Sequence, residues 1–123
     1  MTPDVNVLVA ASRSAHPPHA PALAWLERAL AGCAQGRGVV LLPMVAVSHL
    51  RLVTNPRVFV QPTPLAEAQA FLRAVLQVPG VDMLPTGPEW PIFEHLCAEH
   101  NLQGNDIQDA WIAAAVRANQ EHL

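Results

Sequence analysis

The stretch Pro3-Asp4-Val5-Asn6-Val7-Leu8-Val9-Ala10-Ala11 constrains this chain more than any other. It is an apolar run broken by one carboxylate and one carboxamide. Buried apolar runs exclude unpaired charge, because a carboxylate taken out of water loses its hydration. Asp4 therefore has two readings. It lies near a frayed terminus with its carboxylate in water. Or it ends a short first strand and points into a polar pocket, since ligands of open α/β sheets bind outside the carboxyl ends of the strands. In the second reading Asn6 orients the Asp4 carboxylate or a bound water. The rest of the chain has to decide.

The length of 123 residues predicts one domain over residues 1–123, with room for a substantial core. Hydrophobic residues make up 51% and charged residues 14%, which predicts a heavily buried sheet, an oligomer interface, or both. A net charge of -3 argues against holding nucleic acid by bulk electrostatics alone. All seven basic side chains are arginine. The absence of lysine excludes a P-loop and Schiff-base chemistry, and it weakens a phospho-acceptor receiver domain. Cys33 and Cys97 have no metal-ligand spacing and read as reduced, buried thiols of a cytoplasmic protein. With no positive region before its apolar run and with Asp4 in it, the N-terminal stretch is not expected to be a signal peptide, and no apolar run is long enough to predict a membrane span.

Along the chain, residues 14–21 read as a loop with solvated His16 and His19. A helix follows, with Leu23, Leu26 and Leu30 on one face and Trp25 off it, ending at Gly32. Val39 to Leu42 reads as a central strand and Met44 to Thr54 as a helix in which His49 is satisfied or exposed. Thr63 is read as N-cap and Pro64 as first residue of the next helix. Val81 to Leu84 reads as another strand. Thr86 and Glu89 fit a capping box opening a helix that buries Trp90, Phe93, Leu96 and Cys97. A last helix from about Asp106 is apolar nearly all round, which predicts burial on more than one side. Strand–helix alternation of this kind predicts a parallel sheet with helices on both faces.

Asp106 and Asp109 stand three apart at the start of the last helix, so their β-carbons are roughly 5–6 Å apart. For Asp106, helix capping and metal ligation weigh equally. For Asp109, ligation is favoured, because Ala110 to Val116 place it at the start of a core helix. If the first strand is central, Asp4 and this helix start face one pocket. Oxygen ligands alone suit magnesium or manganese rather than zinc. Ions held in this way stabilise charge and activate water in phosphodiester hydrolysis.

Three stretches carry a resemblance: Pro-Asp-Val-Asn-Val-Leu-Val at 3–9, Leu-Arg-Leu-Val-Thr-Asn-Pro-Arg-Val-Phe at 50–59, and Gly-Asn-Asp-Ile-Gln-Asp-Ala-Trp-Ile-Ala-Ala at 104–114. Together they resemble a PIN domain, and more narrowly the VapC-type ribonuclease toxins of bacterial toxin–antitoxin pairs. The resemblance implies a three-layer α/β/α sandwich with a parallel sheet and a Mg2+- or Mn2+-dependent endoribonuclease acting on an RNA substrate. It also implies a homodimer and inhibition by a cognate antitoxin protein. By motif match, Asp4 falls on the first family acid and Asp109 on the acid of the late helix.

The chain departs from the family in two places. Ser48 stands where a glutamate usually precedes the Leu-Arg of the middle helix, and Asp106 is the nearest substitute for that charge. The family's C-terminal strand and acidic segment do not follow before Leu123. These departures keep a second reading open, a catalytically weak or inactive PIN-like scaffold that binds protein or RNA. A third is a small α/β protein without a site. Arg51, near Ser48 on the middle helix, and Arg57, just after its terminating proline, are the candidate RNA contacts.

Overall fold

Residues 1–83 and 88–120 are described by a computed structural model, with side chains to residue 118. The first element is a helix. Val5–Ser12 forms α1, and Asp4 is its N-cap, with Oδ1 accepting from the Val7 N–H at 3.1 Å. The strand expected to end at Asp4 survives as a single rung. Met1 donates its amine to the Gly38 carbonyl and accepts from the Val40 N–H at 2.9 Å. An aspartate in extended backbone just before an apolar run can satisfy a free helix N–H, so the local cap prevails over a longer strand.

His19–Gly32 forms α2, so the helix begins inside the segment expected to be loop. A 3-10 turn at Cys33–Gln35 leads to β1, Val39–Leu41. Pro43–Val53 forms α3, with the proline at its start where no N–H is needed. Leu65–Leu76 forms α4, Val81–Met83 β2, Glu89–His100 α5 and Asn105–Gln120 α6. The two strands pair in parallel, Val39 opposite Val81 and Leu41 opposite Met83. Gly80 sets this register: its carbonyl accepts from the Val39 N–H, and a Cβ there would lie 2.9 Å from that of Cys33. The result is a mixed α/β fold with six helices around a short parallel ladder among the described residues.

Helix α3 lies at the centre. It packs on α1, α4 and α6, and buries Ala46, Val47, Leu50 and Val53 against Leu8, Leu41, Leu72 and Ile107. An aromatic cluster joins α5 to α6. Phe93 meets Trp90 at 5.3 Å and Trp111 edge-on at 5.5 Å between ring centroids. Trp90 and Leu96, both expected to be buried, are half-buried, while Phe93 is enclosed. Cys97 is enclosed, and its thiol is pushed up to about 12 by burial and then by Glu94, which leaves it unreactive.

Several local expectations change. Thr63 does not cap α4; Pro64 takes the cap position with no side-chain bond, and the Thr63 hydroxyl accepts from Arg13 at 2.8 Å. Arg13 also reaches the Gln61 carbonyl and lies 3.8 Å over the Phe59 ring. His16 meets Phe59 edge-on, and the His19 ring nitrogen bonds the Ala10 carbonyl at 2.9 Å, so neither is a plain solvated loop histidine. Leu84 and Thr86 lie outside the described residues; of the proposed capping box Glu89 is described, as the first residue of α5 with Pro88 at the cap position and no side-chain cap bond. Helix α6 buries one stripe, Ile107, Ala110, Ala114 and Ala118, and leaves Ile112 and Val116 about half exposed at 55% and 51%. Its alanines keep the backbone close to α5 and α3 on that stripe alone.

His49 is neither exposed nor satisfied. It is fully buried on α3, stacked on Phe71 at 5.3 Å, and neither ring nitrogen has a partner. Burial lowers its pKa from 6.5 to about 4. The unfolded chain therefore binds a proton between those values that the native chain refuses. Stability is complete above about pH 6.5 and falls as pH drops toward 4, by on the order of 3 kcal/mol at ~1.4 kcal/mol per pKa unit. His49→Leu, which removes the buried polar atoms at similar size, is expected to flatten the melting temperature across this window and to leave the protein at least as stable at pH 7. Superimposable pH–melting curves for the two proteins would contradict this account.

Candidate functional site

The second and third motif stretches meet. Thr54 ends α3, and its buried hydroxyl donates to the Leu50 carbonyl at 2.7 Å while accepting from the Gly104 N–H at 2.8 Å. Gly104 has a φ of +59°, a left-handed value that glycine adopts without strain. The glycine turns the chain into α6, so the threonine fixes where that helix begins. Asn55 then folds over the junction, its side-chain oxygen accepting from the Arg57 N–H at 3.0 Å. Around it lies a polar cleft lined by Asn55, Arg57, Gln103, Gly104, Asn105 and Asp106.

All three acids are exposed, and Asp4 and Asp106 occupy helix starts. Asp4 caps α1. Asn105 opens α6, so Asp106 lies inside the first turn rather than at the cap, where its charge favours the positive helix end. Asp109 stands one turn further along, next to the buried Ala110. Asn6 is exposed on the first turn of α1, and the group that holds the Asp4 carboxylate is the Val7 N–H, not Asn6. Ser48 is half-buried on α3. Arg51 is half-buried and Arg57 exposed; among the described residues neither forms an ion pair.

The donor chemistry is all oxygen, which suits a hard divalent cation. The geometry does not supply a three-acid cage: among the described residues no three His, Cys, Asp or Glu side chains gather closely enough to hold a metal ion. Asp4, Asp106 and Asp109 are therefore not brought together as one cluster. The sequence reading also missed Arg13. Its signal was faint, a lone arginine after an apolar helix, and its partners lie some fifty residues away in the chain.

No family model matches the chain. Individual relatives do. It is 40% identical over 114 residues to Ribonuclease VapC31 of Mycobacterium tuberculosis, covering 90% of this chain and 77% of that protein. The chain belongs to the VapC ribonuclease family. Ribonuclease VapC25 of the same organism gives the same identity and coverage. VapC ribonuclease Mb2897 of Mycobacterium bovis is 38% identical over 117 residues, 94% of this chain and 78% of the relative. The resemblance seen in the motif stretches is thus borne out at the level of the family.

Thr54 is where the geometry is most exposed to test. Thr54→Val keeps the shape but leaves the buried Gly104 N–H without an acceptor. It is expected to cost about 1–3 kcal/mol in urea or thermal unfolding. Hydrogen exchange should localise the loss to the amides at the start of α6. An unchanged unfolding midpoint would show that the junction is held by other contacts.

Proposed function

We propose that this VapC-family chain is an endoribonuclease toxin of a toxin–antitoxin pair, cutting single-stranded RNA at a site served by Asp4 and Asp109. The observation that carries the reading is the family membership together with the acids the motifs match, both exposed, Asp4 at the cap of α1 and Asp109 one turn into α6. Each of those carboxylates is open to a substrate phosphodiester and to water. Asp106 belongs to the same reading as the nearest additional charge, with Asn6 and Ser48 as supporting groups.

A divalent cation, magnesium or manganese, goes with the proposal. Asp4 and Asp109, with Asp106 as a further carboxylate, are the residues that would hold it through oxygen. The ion would supply charge stabilisation at the phosphate. The three-layer parallel sandwich, a cytoplasmic location and an RNA contact from half-buried Arg51 complete the reading. Among the described residues no helix is long and apolar enough to cross a membrane.

Manganese at millimolar concentration is expected to raise the melting temperature of the wild type by mass action on the native state. The rise should shrink in Asp4→Asn and Asp109→Asn, which keep side-chain shape. Both variants should lose cleavage of a single-stranded RNA that the wild type cuts. Metal-independent cleavage that survives both substitutions would overturn the assignment of the acids. The alternative, a binding scaffold with little or no catalysis, is favoured by Ser48 in place of the family glutamate. RNA binding without cleavage would select it.

A homodimer and a cognate antitoxin protein are the partners this function needs. Ile112 and Val116, one turn apart and half exposed on α6, give such a partner an apolar stripe. Light scattering is expected to give twice the chain mass, and the product Ile112→Glu/Val116→Glu should lower it toward one. A wild type that runs as a monomer would remove the dimer from the proposal.

A further inference from the structure

We infer that the cleft between the Asn55–Arg57 turn and the start of α6 is a base-reading subsite, holding one unpaired RNA nucleotide beside the cleavage acid. The inference rests on the ribonuclease reading and adds to it where the substrate lies and what selects it.

The cleft measures about 360 Å3, within the ~300–1,000 Å3 typical of small-ligand sites. Three carboxamides, one carboxylate and one guanidinium line it, those of Asn55, Gln103, Asn105, Asp106 and Arg57. The Asn55 oxygen is already engaged by the Arg57 N–H, so its amide group offers two donors. Gln103 and Asn105 are exposed, and among the described residues their side chains make no hydrogen bond within the protein. Their amides offer both donors and acceptors. The Asp106 carboxylate accepts only, which matches an exocyclic amino group of a base. Arg57 is exposed and free of ion pairs among the described residues, and it supplies a phosphate contact.

This mixture separates a nucleotide from a simple anion. An acidic peptide or a bare phosphate would use Arg57, face repulsion from Asp106, and leave three amides without a role. An unpaired nucleotide uses all of them, because the hydrogen-bonding edges of single-stranded bases are open. The Thr54–Gly104 bond fixes the backbone at the start of α6 and the Asn55–Arg57 bond fixes the Asn55 amide, so both walls of the cleft are in place before a base enters. Asp109 lies one turn along α6 from Asp106. The nucleotide in the cleft therefore neighbours the phosphodiester to be cut.

The test uses fluorescently labelled ten-nucleotide homopolymers of A, C, G and U, bound to the full chain carrying Asp109→Asn so that the RNA stays intact. The parent is expected to prefer one or two bases. Gln103→Ala and Asn105→Ala should level that preference by roughly tenfold while leaving the salt dependence unchanged. Arg57→Ala should weaken all four RNAs alike and lower the slope of log affinity against log salt by about 0.7. All three positions are exposed, and thermal melts confirm that each variant is folded. Unchanged preference in both amide variants, or an unchanged slope in Arg57→Ala, overturns the subsite; if the wild type still cleaves RNA, the ribonuclease reading stands. A parent that binds none of the four RNAs, with a wild type that cleaves none, overturns both. Loss of antitoxin binding in Arg57→Ala with RNA binding intact would assign the cleft to a protein partner instead.

Discussion

The hydroxyl of Thr54 is the joint on which this structure turns. It is buried, and it uses its single donor and one acceptor position on two different elements. The donor closes the last turn of α3, the central helix. The acceptor takes the N–H of Gly104, which no other group in that turn satisfies. A buried backbone N–H without a partner is costly, so this one bond couples the end of one helix to the beginning of another fifty residues later. Everything of functional interest on α6 inherits its position from that coupling. Asp106 and Asp109 are placed by the point at which the helix starts, and the amide-lined cleft exists because Asn55 and Arg57 continue from Thr54.

The same economy explains why so short a ladder suffices. The paired strands are three residues each, with one further rung from Met1. Most apolar burial comes from helix faces around α3 instead. Helix α6 achieves its contacts with alanines, which allow close approach on one stripe and leave the opposite face free. His49 marks the limit of this packing. A buried imidazole without hydrogen bonds is a standing cost, and it makes the centre of the fold sensitive to acid.

Family and helical framework were legible in the sequence because they rest on local signals. Periodic leucines, prolines at helix starts and glycines at turns each act within a few residues. The motif stretches at 50–59 and 104–114 were found as separate strings, and their meeting through Thr54 and Gly104 was not visible in either. The helical state of Val5–Ser12 was missed because an apolar run of that length fits a strand or a buried helix equally well. Asp4 was the deciding residue, and its cap bond to Val7 depends on backbone geometry rather than on composition. Arg13 escaped for a different reason: all its partners, Phe59, Gln61 and Thr63, come from one distant loop. The all-round apolar face read into α6 failed because hydrophobicity alone does not say which sides find a neighbour.

Asp109, one turn into α6, is the acid whose part in RNA cleavage matters most in this VapC-family chain. Sequencing the new RNA ends produced when purified protein meets total cellular RNA tests that role most directly. The account predicts a small, reproducible set of cuts in unpaired regions for the wild type, and their absence for a folded Asp109→Asn protein. Identical end profiles for the two proteins, with or without cuts, would contradict it.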